Sequence, residues 1–433
     1  MRPTASLSIA AVSLLLAAAL PGAAARPRFG GTLRLSTRAV ITTLDPAHQP
    51  VGPLALATKS SLAGHVFETL VKLDWRGDPQ PHLATGWTHE PAQKRWVFAA
   101  RPKVLFHNGA RWEPAGSVIH MPDDRPIADI LRELSHPRSA IVLRLPDGSL
   151  AGTGPFRLAQ FEAGKAVTLA AFDNYWAGRP FLDSVELRMG RSLRDQALDL
   201  ELGNADLAEL SLADVRRARQ RGARLAVSAP VEVLALAFDR ARQFPEALRH
   251  ALALALDRPA IQSVLLQKMG DASAVLLPQW LTGYAFVFPA ARDLPAARLL
   301  TSSSPPLDFS YDRLDPLLRA VAERIILNAA EAGLTLKSSP GPAAVRLLAL
   351  RVTSTDPVLA LEDLAPMLGA PPAQKADAFD RERAALEAFY LIPIVHLPAC
   401  YELGPRVQGW IGAPWVASGR WDLAAVWLAE DRP

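Results

Sequence analysis

The sequence predicts a mixed α/β chain, combining α/β and α+β features, that folds as more than one lobe. Its 433 residues exceed one ordinary core, which favours two or three lobes. Half of the residues are apolar, enough to fill buried cores and too many for a disordered chain. Strand and helix patterns are mixed along the whole length, without an internal repeat.

The predicted elements follow from local patterns. Short alternating runs predict strands at residues 32–35, 96–100, 104–106, 168–172, 184–188, 231–238 and 346–352. Helical patterns lie at 65–73, 193–203, 212–222, 245–269 with a break at 257–259, and 316–333 with Gly333 at the end. Segments rich in Pro, Ser or Ala at 289–306, 338–344 and 368–375 predict loops.

The first 25 residues have the features of a secretory signal peptide. Arg2 precedes an apolar run at 7–20, and residues 23–25 are the small alanines that signal peptidase requires. A membrane anchor is the alternative, but the run is shorter than the roughly 20 residues of a spanning helix. We expect cleavage near Ala25, with no Cys nearby for a lipid anchor.

Composition and motifs give little support to catalysis, metal binding or nucleic-acid binding. A net charge of +4 is small for this length, whereas phosphate binding needs a concentrated basic face. No two of the nine His have the spacing that puts imidazoles on one helical face, so neither a metal nor another cofactor is predicted. Cys400, the only cysteine, is expected to be a packed thiol.

No nucleophile motif is complete. Ser149, between Gly148 and Gly152, stands one position too early for a nucleophile elbow. A secreted hydrolase whose triad assembles only in space stays an alternative. The ten Trp, several beside Gly or Pro, have two interpretations: a ligand cleft lined by rings, or ordinary core packing.

Several motifs together resemble the family 5 extracellular solute-binding proteins, the oligopeptide, dipeptide and nickel receptors of ABC importers. Each fragment has low specificity, but their order and spacing agree along nearly all of the mature chain. They are GGTLRL, TLDP, HVFETLVKLDWRGDPQPHLATGW, WVFAARPKVLFHNG, GTGPFRL, DNYWAGRPFLDSV, LRHALALALDRPAI, LLPQWL, TDP and LIPIVHL.

The resemblance implies two α/β lobes joined by a hinge, with a third domain inserted in the first lobe. The expected ranges are 26–49, 152–230 and 398–433 for the first lobe, 50–151 for the insert and 231–397 for the second lobe. The ligand would lie between the lobes. Gly152 and Gly154 are expected to supply unusual backbone dihedrals where the chain re-enters the first lobe.

The resemblance also implies ligand-binding residues. One strand that pairs with ligand backbone corresponds to Val40, Ile41 and Thr42, and a second to Ala349, Leu350 and Arg351. Arg351 could equally meet an anionic group or face solvent.

Two departures from the family pattern stand out. Peptide binders hold the ligand's amino terminus with an Asp at the position of Thr353, and a hydroxyl cannot replace that carboxylate. The insert is also short, since only 42 residues, 110–151, separate FHNG from GTGPF. Either a family branch closes over a smaller wall, or closure is impaired.

We therefore expect a monomeric, non-enzymatic, periplasmic receptor of an ABC importer that captures a peptide-like or other small organic solute and delivers it to a membrane permease. Hinge closure on a ligand suits a chain without catalytic motifs. The alternative is an exported sensor or interaction module on the same scaffold that does not transport.

Overall fold

The computed structural model describes residues 26–48, 52–123, 125–284, 289–301, 305–368 and 377–430. The predicted signal peptide and most of the predicted loop at 368–375 lie outside these ranges. The mixed α/β class is confirmed.

The strands of the described residues, in chain order, are β1 to β20: Thr32–Ser36, Val71–Leu73, Pro79–Pro81, Ala84–Glu90, Arg95–Ala100, Val118–Met121, Leu143–Arg144, Leu150–Ala151, Phe156–Glu162, Ala166–Ala171, Ser184–Arg188, Leu207–Glu209, Arg224–Phe238, Asp271–Ala272, Leu307–Ser310, Leu336–Ser338, Val345–Arg351, Leu391–Leu403, Val407–Gln408 and Trp427–Leu428. The helices are α1 to α12: Pro53–Ala63, Ile127–Ser135, Leu193–Glu201, Leu212–Gln220, Glu246–Ala255, Arg258–Ala260, Gln279–Thr282, Leu294–Leu300, Pro316–Glu331, Pro357–Leu368, Ala378–Glu387 and Ala413–Ser418.

The first lobe is built on a four-stranded sheet in the order β1-β11-β10-β9. β1 runs parallel to β11, and the other pairs are antiparallel. Alternate residues such as Leu33, Val185 and Leu169 point into a core that also contains the carboxyl-terminal Trp410 and Trp415. These buried Trp are core residues, as one of the two interpretations expects.

The second lobe contains most of a sheet in the order β12-β18-β13-β17-β15-β16, with β14 also paired to β18. Two apolar clusters, one on each face, surround its inner strands. Cys400 is buried in one of them, and burial raises the pKa of its thiol to about 12, which confirms a packed thiol.

The long strands β13 and β18 pass from one lobe to the other. Ala226 and Tyr401 belong to the first-lobe core, whereas Leu236 and Ile394 belong to the second. Between them the β13–β18 register slips on both sides of Pro230, which is paired with Pro398. Because proline has no amide N–H to donate, this site weakens the ladder where the two lobes join.

Residues 70–151 form a small third unit around the antiparallel sheet β4-β5-β6 and helix α2. The lobe ranges expected from the sequence stay a prediction. The apolar packing departs from those ranges at two places. Leu62 of α1 packs in the first-lobe core, and Val215 of α4 packs in the second-lobe core.

The GTGPF segment lies against residues 65–67, and close approach explains its glycines. The amide of Gly154 donates to Val66 O at 3.1 Å, and a Cβ on Gly152 would lie 1.8 Å from the same oxygen. Neither Gly152 nor Gly154 has a positive φ. The expectation of unusual dihedrals is therefore wrong, since these glycines are needed to make room for another backbone.

The buried Glu68 carboxylate links its own sequence motif to GTGPFRL and DNYWAGRPFLDSV through hydrogen bonds. It accepts hydrogen bonds from Thr153 Oγ1 at 2.7 Å, Tyr175 Oη at 2.8 Å and Trp176 Nε1 at 3.0 Å, and it lies 2.9 Å from His82 Nε2. Burial alone would raise the pKa of Glu68, but His82 and the other donors outweigh it and lower the pKa.

Three element predictions are wrong. Residues 65–73 are not helical, because the carbonyls of His65 and Val66 accept amides of the GTGPF segment instead of continuing a helix. Residues 104–106 enter a tight loop at Gly109 and make one isolated bridge. The predicted loop at 289–306 contains α8, which Asp293 caps by accepting the Ala296 amide.

Candidate functional site

A cavity of about 450 Å³ lies beside the second-lobe sheet, next to the region where β13 and β18 cross between lobes. Its walls include β17 from Leu347 to Arg351, Tyr311 after β15, Glu232 of β13, and Arg38 of the first lobe. This volume is in the range of small-molecule pockets. The cavity therefore brings residues of both lobes around one space.

Strand β17 has an open edge at this cavity. On one side it pairs with β13 along its whole length, from Val345 to Arg351. On the other side β15 pairs only with Val345 and Arg346, and no other described strand continues the ladder. The remaining backbone N–H and C=O groups form an edge to which an extended chain can be added.

The predicted ligand-binding residues Ala349, Leu350 and Arg351 all lie on this wall. Leu350 is fully buried, whereas Ala349 is half-buried. Arg351 was open to two interpretations, and it does not face solvent: only 9% of its side chain is exposed. Their contact with a ligand stays a prediction.

Val40, Ile41 and Thr42 lie on the first lobe and are not part of this cavity wall. The Ile41 amide donates to Met189 Sδ at 3.3 Å, and the Ile41 carbonyl accepts the Gly164 amide at 2.8 Å. Both backbone groups of Ile41 thus have partners in the protein, whereas the neighbouring Val40 and Thr42 are exposed. The cavity beside β17 is therefore lined without this segment.

Arg38 connects the lobes through hydrogen-bonded ion pairs. Its Nε and Nη2 donate to Glu209 at 3.2 and 2.9 Å, and its Nη1 donates to Asp315 at 2.8 Å. Asp315 also caps α9 by accepting the amides of Leu317 and Leu318. Burial alone would raise the pKa of Glu209, but Arg38 outweighs it and lowers the pKa.

Arg351 lies in the same charged cluster, but it makes fewer well-oriented hydrogen bonds to carboxylates than Arg38 does. Its Nη2 is 3.0 Å from Glu232 Oε1, but the geometry is not that of a hydrogen bond. The Tyr401 hydroxyl is in hydrogen-bond contact with the guanidinium. Burial raises the pKa of Glu232 above its ordinary value despite the nearby Arg351 charge.

The hydroxyl of Thr353 is engaged within the protein. It donates to Asp363 Oδ2 of α10, and His136 Nε2 lies 3.0 Å from the other carboxylate oxygen. The Arg138 amide donates to His136 Nδ1 at 3.1 Å, which leaves the proton on Nε2 to be donated to Asp363. Thr353 therefore belongs to a buried polar chain that joins the 70–151 unit to the second lobe.

Two further ion pairs join the 70–151 unit to the second lobe. Arg132 donates to Asp356 at 2.9 Å and Arg138 donates to Glu362 at 2.8 Å. The contacts of Arg132, His136 and Arg138 with Asp356, Asp363 and Glu362 are called the latch below. The 70–151 unit thus reaches the second lobe through polar and charged side chains of α2 and the turn after it.

Sequence reasoning missed Arg38, Glu209, Glu232 and Asp315. For two of these residues, the sequence contains a feature that could have identified them. Glu232 is a charged residue inside an otherwise apolar strand, and Asp315 precedes a Pro at the start of a predicted helix, where a capping residue is expected. Arg38 and Glu209 had no such signal, because they are 171 residues apart.

Within the described ranges, no group of three or more His, Cys, Asp or Glu side chains is arranged to hold a metal ion. Among the helices in those ranges, none has the combined length and apolar character needed to cross a bilayer.

Comparison with known proteins gives the family. The model of the bacterial extracellular solute-binding proteins, family 5 Middle, matches residues 122–357, more than half of the chain. The uncharacterized protein YhjP of Bacillus subtilis is 29% identical over 178 residues, covering 34% of this chain and 30% of its own length. The nickel-binding periplasmic protein of Escherichia coli is 26% identical over 275 residues, covering 51% of this chain and 52% of its own.

The match to these two relatives thus spans between about a third and a half of their length. Among solved structures, the oligopeptide-binding protein AppA from Bacillus subtilis, in complex with a nonapeptide, superposes with a TM-score of 0.77 at 14% identity. It covers 94% of this chain and 100% of its own, so the two-lobed fold is shared. On the family match and this fold, the chain belongs to the family 5 bacterial extracellular solute-binding proteins.

Proposed function

We propose that this protein is an exported, monomeric, non-enzymatic receptor of an ABC importer, which captures a peptide-like or other small organic solute and presents it to a membrane permease. The observation that carries the proposal is the open edge of β17 beside a cavity shared by both lobes. An extended solute would add to Leu347–Arg351 through main-chain hydrogen bonds, which are indifferent to its side chains.

The relatives support this class of solute. AppA was solved with a nonapeptide, and another relative is a nickel-binding protein. Between these two, the open strand edge favours a peptide-like solute. The proposed pairing also includes Val40, Ile41 and Thr42, as the family resemblance implies. That pairing requires Ile41 to exchange its partners Met189 and Gly164, both in the first lobe, for groups of the solute.

Thermal unfolding of the purified mature protein tests the proposal. A solute that binds only the folded state stabilises it by RT ln(1 + [L]/Kd), or about 2.7 kcal/mol at a hundredfold excess over Kd. We expect short peptides to raise the melting temperature and backbone N-methylated versions of the same peptides not to, because strand addition needs their amide N–H groups. No stabilisation by any peptide, opine or metal chelate would count against a receptor.

Uptake separates the receptor from an exported sensor or interaction module. Cells that carry the cognate permease should import a labelled solute only when this protein is present. Solute binding without import would favour the sensor.

A further inference from the structure

The Arg38–Asp315 ion pair lies where three cavities meet. The 450 Å³ cavity beside β17, a groove of about 1300 Å³ along α3 and α4, and a cavity of about 40 Å³ are all lined by both Arg38 and Asp315. The described residues that line both the β17 cavity and the groove are this pair and Asp312. The ion pair therefore forms much of the wall between the two large spaces.

Each partner of the ion pair is held independently of the other. The Nε and Nη2 of Arg38 donate to the two oxygens of Glu209 at 3.2 and 2.9 Å. The Oδ1 of Asp315 accepts the amides of Leu317 and Leu318, whereas its Oδ2 accepts Arg38 Nη1 at 2.8 Å. Because different atoms make these contacts, the Arg38–Asp315 bond can break while Arg38 keeps Glu209 and Asp315 keeps its helix amides.

The groove on the far side of the pair has room and a suitable lining for part of a solute. Its walls include residues of α3 and α4 and the segment before α9. Two leucines of this lining, Leu198 and Leu314, are 49% and 93% exposed, so a solute that covers them removes apolar surface from water. Charges of both signs, such as Arg194 and Glu201, also line the groove. This mixture suits a peptide segment with apolar and polar side chains.

We propose that the Arg38–Asp315 pair limits the length of the solute: the receptor binds short peptides with the pair intact, and a longer peptide must break the pair to extend into the groove. This rests on the proposed receptor function and specifies the length of its solutes. A chain added beside Leu347–Arg351 has room for about five residues at roughly 3.3 Å each. A longer peptide loses affinity because it breaks a charged hydrogen bond that a short peptide leaves in place.

The test compares the dissociation constants of a tetrapeptide and of octapeptides that contain it. A tetrapeptide library is screened on the mature protein by thermal shift, and the tightest binder is extended by four residues at either end for calorimetry. The tetrapeptide should bind the unmodified protein at least about tenfold more tightly, the factor that a charged hydrogen bond corresponds to. Asp315→Ser should lower the ratio of the two constants by about tenfold, because Ser still caps α9 but its shorter side chain withdraws the acceptor from Arg38.

Asp377→Ser is the matched control, because Asp377 caps α11 by accepting the Asp380 amide and lines none of the three cavities. It should leave the ratio unchanged. The double variant Arg38→Met/Glu209→Met removes the pair from its other side and replaces a hydrogen-bonded ion pair by apolar side chains of similar size. It should lower the ratio as Asp315→Ser does.

The outcomes separate the length limit from the receptor function. Equal binding of both lengths to the unmodified protein, or a ratio that neither variant of the pair changes, would overturn the length limit and leave the receptor function standing. Binding of another class of solute but of no peptide would do the same. Binding of no peptide and of no other solute would overturn both.

Discussion

At the scale of single residues, His396 is the clearest case of burial controlling ionisation. Its residue is 3% exposed and its Nε2 lies 3.2 Å from the carbonyl oxygen of Leu276. Burial lowers the pKa of His396 to about 4. The folded protein therefore holds this imidazole neutral at a pH where an unfolded chain takes up a proton.

We expect His396 to make the protein acid-sensitive. Its contribution to stability is complete above the unfolded pKa near 6.5 and is lost as the pH falls toward 4. The loss is about 3 kcal/mol, since a pKa difference of one corresponds to about 1.4 kcal/mol. Urea unfolding of wild type and His396→Gln between pH 7 and about pH 4 measures it as a difference. Equal slopes in the two proteins would contradict the assignment.

At this scale, the environment of a side chain could be predicted where its neighbours in the sequence already indicate it. Cys400 stands in an apolar run and is a packed thiol. Asp315 and Glu232 had readable signals that were not used. The pairing of Arg38 with Glu209 and Asp315 was not predictable, because it joins residues 171 and 277 positions apart.

At the scale of elements, the glycine-rich GTGPF segment should be intolerant of side chains. A Cβ at Gly152 meets the Val66 carbonyl at 1.8 Å, and backbone cannot give way as a flexible side chain can. We expect Gly152→Ala to destabilise by at least about 2 kcal/mol, measured by urea unfolding. Gly86→Ala is the control, because a Cβ there meets nothing within 4 Å and its φ is not positive. Equal stability of the two variants would refute this explanation.

Helices and strands could be predicted where the period of the apolar residues and the residues at the ends of the element indicate the same bounds. Ser184–Arg188 has the predicted bounds, and Pro316–Glu331 ends two residues before Gly333. The helix prediction for residues 65–73 was wrong because the carbonyls of His65 and Val66 accept amides of the distant GTGPF segment. Local periodicity cannot show such long-range hydrogen bonds. Leu294–Leu300 was missed because its Pro was interpreted as a loop signal, whereas proline in the first turn favours a helix.

At the scale of the whole molecule, the latch should favour the closed arrangement of the lobes. The buried His136–Asp363 hydrogen bond is its strongest part, since the flanking ion pairs are more exposed. We expect His136→Ala to weaken closure by about 2 kcal/mol, roughly a 30-fold shift toward open molecules. Small-angle scattering should show a larger radius of gyration for this variant.

His120→Ala is the matched control for the latch, because His120 belongs to the same unit and is exposed. An unchanged radius of gyration in His136→Ala would show that these contacts do not hold the lobes together. The 70–151 unit would then line the cleft without a role in closure.

The central claim is that a solute adds to the open edge of β17, and hydrogen–deuterium exchange on the mature protein tests it most directly. The solute is first identified by mass spectrometry of what co-purifies with the protein, and exchange is then compared with and without it. Binding should slow exchange at amides within Leu347–Arg351 that β13 leaves unpaired. A solute that binds tightly while exchange along β17 stays unchanged would contradict the claim.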